Sequence, residues 1–117
     1  MRSMIIIAMA IWYSGEAQAK TTGELLDNCK HDQEPALYSY CVGYVMGAAE
    51  AQLTSDMFHK GIDSSFPGFF CPPNNVTGSQ VAAIFVKYAT DHPEAHHLQA
   101  DWIVTAAMTN AFPCRPK

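Results

Sequence analysis

The sequence has few charged residues, and its basic residues form no cluster. Asp, Glu, Lys and Arg make up only 15% of the 117 residues, and the net charge is −4. Without a stripe of Lys and Arg, the chain lacks the electrostatic surface of a nucleic-acid-binding protein. After a short apolar run near the N-terminus, the sequence has no hydrophobic run long enough to cross a membrane, so we expect no membrane-spanning helix in the rest of the chain.

Patterns that carry enzyme chemistry are also missing. The chain contains no Gly-x-Ser-x-Gly nucleophile elbow and no Cys-x-x-Cys redox pair. Its acidic residues are scattered and show no pairing suited to general acid and base catalysis. We therefore predict that the protein is not an enzyme, has no catalytic residues and needs no cofactor.

Three histidines form the one group that could bind a metal ion. His92 and His96 are four residues apart, a spacing that on a helix can bring two imidazoles to one ion, and His97 is adjacent. Histidines around an exposed helix start are more often solvated or hydrogen-bonded, so we predict no metal site. A zinc-binding module and a pH-sensing role stay open as alternatives.

What the sequence does contain is a secretory signal in residues 1–19. Arg2 supplies a positive charge, residues 4–13 form an apolar run, and Ala17-Gln18-Ala19 is a small-x-small cleavage site. The apolar run is shorter than the roughly 20 residues that span a bilayer. We expect residues 20–117 to form one exported domain, located in the periplasm if the host is a bacterium.

Helix signals outnumber strand signals along the mature chain. A capping box at Thr21 and Glu24 predicts a first helix that reaches Cys29, and a second helix is predicted from residue 36 to about 57. Capping boxes that begin at Thr77 and Asp91 predict two further helices, joined by a short link and therefore antiparallel. The predicted fold class is a small all-α bundle of about four helices.

The second helix carries a face with almost no side chains, because Gly43, Gly47 and Ala51 recur at intervals of four. Each glycine costs about 1 kcal/mol in a helix interior, so a close neighbour is expected to offset that cost. The neighbour is either another helix of this chain, which we favour, or the mate in a homodimer.

Four cysteines in an exported chain predict two disulfides. Three pairings are possible for Cys29, Cys41, Cys71 and Cys114. We favour Cys29–Cys41, which closes the first hairpin, together with Cys71–Cys114, which joins the start of the third helix to the end of the fourth.

The segment from His59 to Asn75 has no periodic pattern. Irregular segments of this length are usually functional or disordered, and Phe66, Phe69 and Phe70 argue against disorder. These rings either fill the edge of the core or are presented to a partner.

Several spaced motifs resemble the Rap/Tai immunity protein family of type VI secretion systems. The resemblance extends from Gly23 to Cys114, and it depends on the following segments: Leu25-x-x-x-Cys29, Cys41-Val42-Gly43-Tyr44-Val45-x-Gly47, Phe70-Cys71-x-Pro73, Val76-Thr77-x-x-Gln80, His92-Pro93-Glu94-x-x-His97-x-x-Ala100, and Ala107 with Ala111-Phe112-Pro113-Cys114. It implies a disulfide-stabilised helical fold that often dimerises. It also implies a periplasmic protein that occludes the active site of a peptidoglycan amidase effector.

An inhibitor of this kind needs a rigid scaffold and anchoring side chains in place of catalytic groups. We predict that the segment His59–Phe70 is the contact surface for the partner; the link around Asp91 to His97 is the second choice. The predicted contact residues are Asp63, Ser64, Phe66 and Phe69 in the first segment, and His92 and His96 in the second. The acidic net charge would steer a basic partner. A periplasmic stress or chaperone-like helical protein is the alternative.

Overall fold

The computed structural model describes residues 18–30 and 34–115, and within these ranges it contains four α-helices and no strand. The elements are α1 (Thr22–Lys30), α2 (Pro35–Ile62), α3 (Gly78–Asp91), a 3-10 turn (Pro93–Ala95) and α4 (Ala100–Ala111). The predicted all-α bundle is confirmed. Residues 1–17 of the predicted signal peptide lie outside the described residues. None of the described helices has the length and hydropathy required to cross a membrane.

One hydrophobic core joins all four helices. Its fully buried members include Leu25 on α1, Val45 on α2, Phe85 on α3 and Val104 on α4. Phe70, from the segment between α2 and α3, is also fully buried in this core. The two short helices therefore gain their stability from packing against α2 and α3, since isolated helices of 9–12 residues are marginal in water.

Two of the predicted capping boxes are confirmed. Thr21 and Glu24 exchange backbone-to-side-chain hydrogen bonds, both of 3.2 Å, at the start of α1. At the start of α3, the Thr77 N–H donates to Gln80 Oε1 at 2.7 Å, and the Gln80 N–H donates to Thr77 Oγ1 at 3.2 Å. These contacts satisfy N–H groups that have no partner within the helix.

The predicted end of the second helix was wrong. α2 continues beyond residue 57, through His59 and Gly61, and ends at Ile62. Lys60 in its last turn is favourable beside the carbonyl end of the helix dipole. Asp63 then adopts an extended conformation, and its N–H donates to the carbonyl of His59 at 2.8 Å. The irregular segment thus begins at residue 63, and the first four residues of the predicted loop are helical.

The predicted start of the last helix was also wrong. α3 includes Asp91, and α4 begins at Ala100 and not at the Asp91 capping box. The carbonyls of His96 and Leu98 accept hydrogen bonds of 2.9 and 2.8 Å from the N–H groups of Gly23 and Thr22. These two carbonyls therefore point to the start of α1 and do not accept hydrogen bonds within a continuous helix. Contacts with α1 thus replace the helical hydrogen bonds that the Asp91 capping box predicted.

Both disulfides have the favoured pairing. Cys29–Cys41 joins α1 to α2, and Cys71–Cys114 joins the start of the α3 segment to the chain after α4. Beside the second bridge, the Cys71 N–H donates to the carbonyl of Phe112 at 2.8 Å. The described part of the chain has no free cysteine.

The favoured explanation of the α2 glycines was wrong. A Cβ placed on Gly43 or Gly47 would meet nothing within 4 Å among the described neighbouring elements. The close approach to α2 is made at Gly78 instead, where a Cβ would lie 2.8 Å from Cγ1 of Val42. Within the described residues, no element therefore packs closely against the face of α2 that contains Gly43 and Gly47.

Candidate functional site

Three rings gather where α2 ends and the irregular segment begins. We call residues 63–70 the contact loop. Phe66 and Phe69 of this loop pack edge to face, with ring centroids 5.5 Å apart. His59 lies 5.3 Å from the Phe66 ring and 6.2 Å from the Phe69 ring. Phe69 is 43% exposed and Phe66 is partly buried, whereas Phe70 points into the core. The segment therefore both fills the core and presents rings to the outside.

His59 is held in place by its own helix. Its Nδ1 lies 2.9 Å from the carbonyl oxygen of Ser55. Since a carbonyl can only accept, the hydrogen is on Nδ1 and the ring is fixed in one orientation. The imidazole therefore presents a fixed face against which the Phe66 and Phe69 rings pack.

A buried carboxylate anchors the contact loop from beneath. Asp56 is only 3% exposed, and its Oδ2 accepts the N–H of Phe69 at 3.0 Å. The hydroxyl of Thr109 on α4 donates to the carbonyl of Phe69 at 3.0 Å. Both backbone polar groups of Phe69 are thus bound, one by α2 and the other by α4. The other Asp56 oxygen, Oδ1, is buried and has no hydrogen-bond partner in the described residues.

The loop can approach Asp56 closely because residue 68 is a glycine. Gly68 has a φ of 101°, a conformation that other residues rarely adopt. A Cβ at this position would lie 3.0 Å from Asp56 Oδ2 and 3.4 Å from Cys114 Sγ. Conformation and space both require glycine here.

Asp63 and Ser64 lie on the exposed side of the loop. Asp63 Oδ1 accepts hydrogen bonds from the hydroxyl of Ser65 at 2.6 Å and from its N–H at 3.0 Å. The hydroxyl bond is the larger of the two causes that lower the pKa of Asp63. The loop therefore presents an ionised carboxylate beside its aromatic rings.

The second predicted contact region has a different character. The ring of His92 stacks on Tyr88 with centroids 4.2 Å apart, and its Nδ1 lies 2.9 Å from Glu94 Oε1. His96 is partly buried, and its Nε2 donates to the carbonyl of Ala89 at 2.7 Å. A 3-10 turn separates the two histidines, so they do not form the helical pair suited to a metal. Within residues 18–30 and 34–115, no group of three His, Cys, Asp or Glu side chains could hold a metal ion.

A second surface runs along α2. Tyr40, Gly47, Ala51, Phe58 and Ile62 are separated by alternating intervals of seven and four, which places them on one side of a helix. We call this side the open face of α2. It is about 33 Å long at 1.5 Å per residue. Phe58 is 72% exposed and Ile62 is 89% exposed. Such apolar exposure along one line is typical of a surface that binds another macromolecule.

Sequence reasoning did not identify Asp56, Gly68, Phe58 or Ile62. A signal for Asp56 was present, because it continues the buried stripe of Cys41, Val45 and Ala49 at a position where an apolar residue is expected. A polar residue in such a stripe indicates a specific role. Phe58 and Ile62 were missed because Gly61 was interpreted as part of a loop.

These features define a class of protein: a small helical scaffold, cross-linked twice, that holds an aromatic loop in a fixed shape and presents an apolar helix face. The sequence pattern of the Rap1a immunity proteins matches residues 21–114. The chain belongs to this family, which confirms the resemblance seen in the sequence. No curated protein and no solved structure matches the chain.

Proposed function

We propose that this protein is a periplasmic immunity protein that binds a peptidoglycan amidase effector of a type VI secretion system and blocks its active site. Membership of the Rap1a immunity family supports the immunity role. Two disulfides suit an oxidising compartment such as the periplasm. The proposed signal peptide in residues 1–19 would take the protein there.

The anchored contact loop is the observation that carries the proposed mode of action. The backbone of Phe69 is held by Asp56 and Thr109, the Phe66 ring packs on the Phe69 ring, and the Cys71–Cys114 disulfide follows directly, so the loop loses little conformational freedom on binding. Preorganisation of this kind lowers the entropic cost of association. Aromatic anchors that enter a desolvated pocket supply most of the binding energy at many interfaces. The loop is the proposed segment that enters the cleft of the amidase.

The experiment that tests this proposal first asks whether a neighbouring open reading frame encodes a secreted cell-wall amidase, and then uses that amidase as the partner. We expect the mature protein to bind it and to protect cells in which the amidase is directed to the periplasm. The double variant Phe66→Ala, Phe69→Ala should bind about a hundredfold more weakly. Trp102→Ala is the matched control, because Trp102 is an exposed aromatic residue on α4.

Two results would contradict the proposal at different levels. Absence of both binding and protection would refute the immunity role. If the Phe66 and Phe69 double variant binds fully and His92→Ala loses binding, the amidase contacts the link after α3 and not the loop. His96→Ala is less informative there, because His96 also holds the carbonyl of Ala89.

We further propose that the open face of α2 forms a homodimer. Family membership supports this proposal, and so does the absence of a covering element at Gly43 and Gly47 in the described chain. In an antiparallel pair, Tyr40 of each copy would lie near Phe58 of the other, with Gly47 close to the crossing point. Small residues at a crossing let two helices approach closely, and a two-fold axis makes the surface self-complementary.

A stress or chaperone-like function is the second candidate, and the exposure of Phe58 and Ile62 is the observation that favours it. Exposed apolar side chains can hold unfolded clients. Suppression of client aggregation at low pH, without any specific amidase partner, would favour this function over the first.

A further inference from the structure

A cavity of about 340 Å³ lies between α2, the segment 72–76 and the start of α3. Its floor is formed by Phe70, Val81 and Met108, all of which are buried in the core. The cavity therefore extends from the surface to the hydrophobic core. Its size is at the lower end of the range for ligand pockets, which suits a single extended side chain.

One wall of the cavity is a line of residues on α2. Met46, Glu50 and Leu53 contribute to this wall. Met57 follows Leu53 by one helical turn on the same side of α2 and is 73% exposed. Phe70 on the floor is the residue directly after Phe69 of the contact loop. The contact loop therefore ends at the floor of the cavity.

Glu50 gives the cavity its charge. It is exposed, and it is the only ionisable side chain that lines the cavity within the described residues. None of the ion pairs found in the described chain involves Glu50. The site therefore combines apolar walls with one carboxylate whose charge no described cation neutralises.

The chemistry that fits such a site is an aliphatic stem that ends in a cation. Lysine and arginine bury their methylene groups along apolar surface while the charged end remains at the rim. A charge-assisted hydrogen bond to the carboxylate is then available. A carboxylate ligand would be repelled by Glu50, and a purely apolar side chain would cover Glu50 without pairing it.

We infer that this cavity receives a lysine or arginine side chain of the amidase effector, with the stem against Met46 and Leu53 and the cation at Glu50. This inference rests on the proposed function for the identity of the partner. It adds a second anchoring point to the contact loop, and the acidic net charge of the chain acts in the same direction.

The binding chemistry can be tested without the amidase. The probes are n-butylammonium, which mimics a lysine side chain, and n-pentanoate, which has the same four-carbon stem and the opposite charge. Methyl NMR of the mature protein with labelled methionines reports on Met46 and Met108 inside the cavity. We expect saturable shifts with butylammonium and about tenfold weaker binding of pentanoate. Glu50→Gln should remove this preference.

Equal binding of the two probes, or no shift at Met46 and Met108 with butylammonium, would overturn the inference. Neither result would affect the proposed immunity role, which depends on the contact loop and on protection of cells. The two proposals can therefore fail separately.

The amidase supplies the second part of the test. Glu50→Gln should weaken its binding about tenfold, and Glu50→Lys should weaken it further because a cation would then meet a cation. Glu34→Gln is the matched control, since Glu34 is an exposed carboxylate at the N-terminal end of α2, about 24 Å from Glu50 along the helix. Unchanged amidase binding by Glu50→Gln would overturn the assignment of the effector side chain to this cavity, even if butylammonium binds there.

Discussion

The carboxylate of Asp56 accepts the backbone N–H of Phe69 at 3.0 Å, and both partners belong to segments that face the core on one side and the solvent on the other. This hydrogen bond joins α2 to the contact loop. The proposed amidase anchor, Phe69, is thereby placed by a residue that itself has only 3% exposure. Loop geometry and protein stability are linked through one buried group.

Replacement of Asp56 should show how much its hydrogen bond to Phe69 contributes. Asp56→Ala leaves the Phe69 N–H without its acceptor and should lower the free energy of unfolding by about 1–3 kcal/mol. Asp56→Asn keeps an acceptor oxygen for this N–H but places its NH2 group at the buried position of Oδ1, which has no partner in the described residues, so it should lose less stability than Asp56→Ala without reaching the wild type. Urea unfolding measures both. Equal losses in the two variants would contradict a stabilising role for the acceptor oxygen.

Gly68→Ala should be destabilising because the position has a positive φ and a Cβ there would lie only 3.0 Å from Asp56 Oδ2. We expect a loss of about 1–3 kcal/mol in the free energy of unfolding. Gly61→Ala is the matched control, since it lies within α2 with open space around it and should gain up to about 1 kcal/mol. Thermal unfolding of the two variants side by side measures the difference. Comparable effects at both positions would contradict this account of Gly68.

Gly47→Leu should separate dimer formation from folding. A Cβ at Gly47 would meet nothing within 4 Å among the described residues, so we expect the single chain to accept a leucine there, and the change improves helix propensity. In the proposed dimer, the same side chain would prevent close approach of the two helices. We therefore expect a stable monomer by analytical ultracentrifugation. Ala83→Leu, on the exposed side of α3, should leave the dimer intact. A dimer that persists in Gly47→Leu would exclude this interface.

The titration of Asp63 should depend on Ser65. Hydrogen bonds from the Ser65 hydroxyl and N–H lower the pKa of Asp63, so its carboxylate should remain ionised to more acidic pH than an ordinary aspartate. Any stability from these bonds is present above the pKa of the unfolded chain and is lost as pH falls through the lowered folded-state pKa. Carbon-detected NMR titration should show that Ser65→Ala raises the pKa of Asp63. An unchanged midpoint would show that the turn does not stabilise the ionised form.

The two disulfides should contribute unequally. The loop-entropy description assigns about 4 kcal/mol to Cys71–Cys114, which spans 43 residues, and about 3 kcal/mol to Cys29–Cys41, which spans 12. Paired serine variants at Cys71 and Cys114 should therefore lose more stability, and they should also bind the amidase more weakly because this bridge holds the contact loop. Paired serine variants at Cys29 and Cys41 serve as the control for binding. The opposite order of binding losses would argue against the loop as the contact.

The local signals in the sequence were sufficient for the fold class, two helix starts and both disulfides. The capping boxes at Thr21 and Thr77 act within four residues and were predictable for that reason. The Asp91 capping box failed because the carbonyl of Leu98 accepts from Thr22, a residue 76 positions away. The partner of Asp56 was hidden for the same reason, since it is fixed only when the loop folds back on α2; the sequence showed only a polar residue within a buried stripe. Distant contacts of this kind leave no periodic trace in a single sequence.

The contact between the start of α1 and the start of α4 has a consequence for the order of folding. The carbonyl of Lys20 accepts the N–H of Ala100, so residues at one end of the bundle find their partners about eighty residues further along the chain. Because a ribosome makes the chain from its N-terminus, this contact cannot form until those residues have been made. The docking of α1 onto α4 is therefore a late event in the folding of a newly made chain.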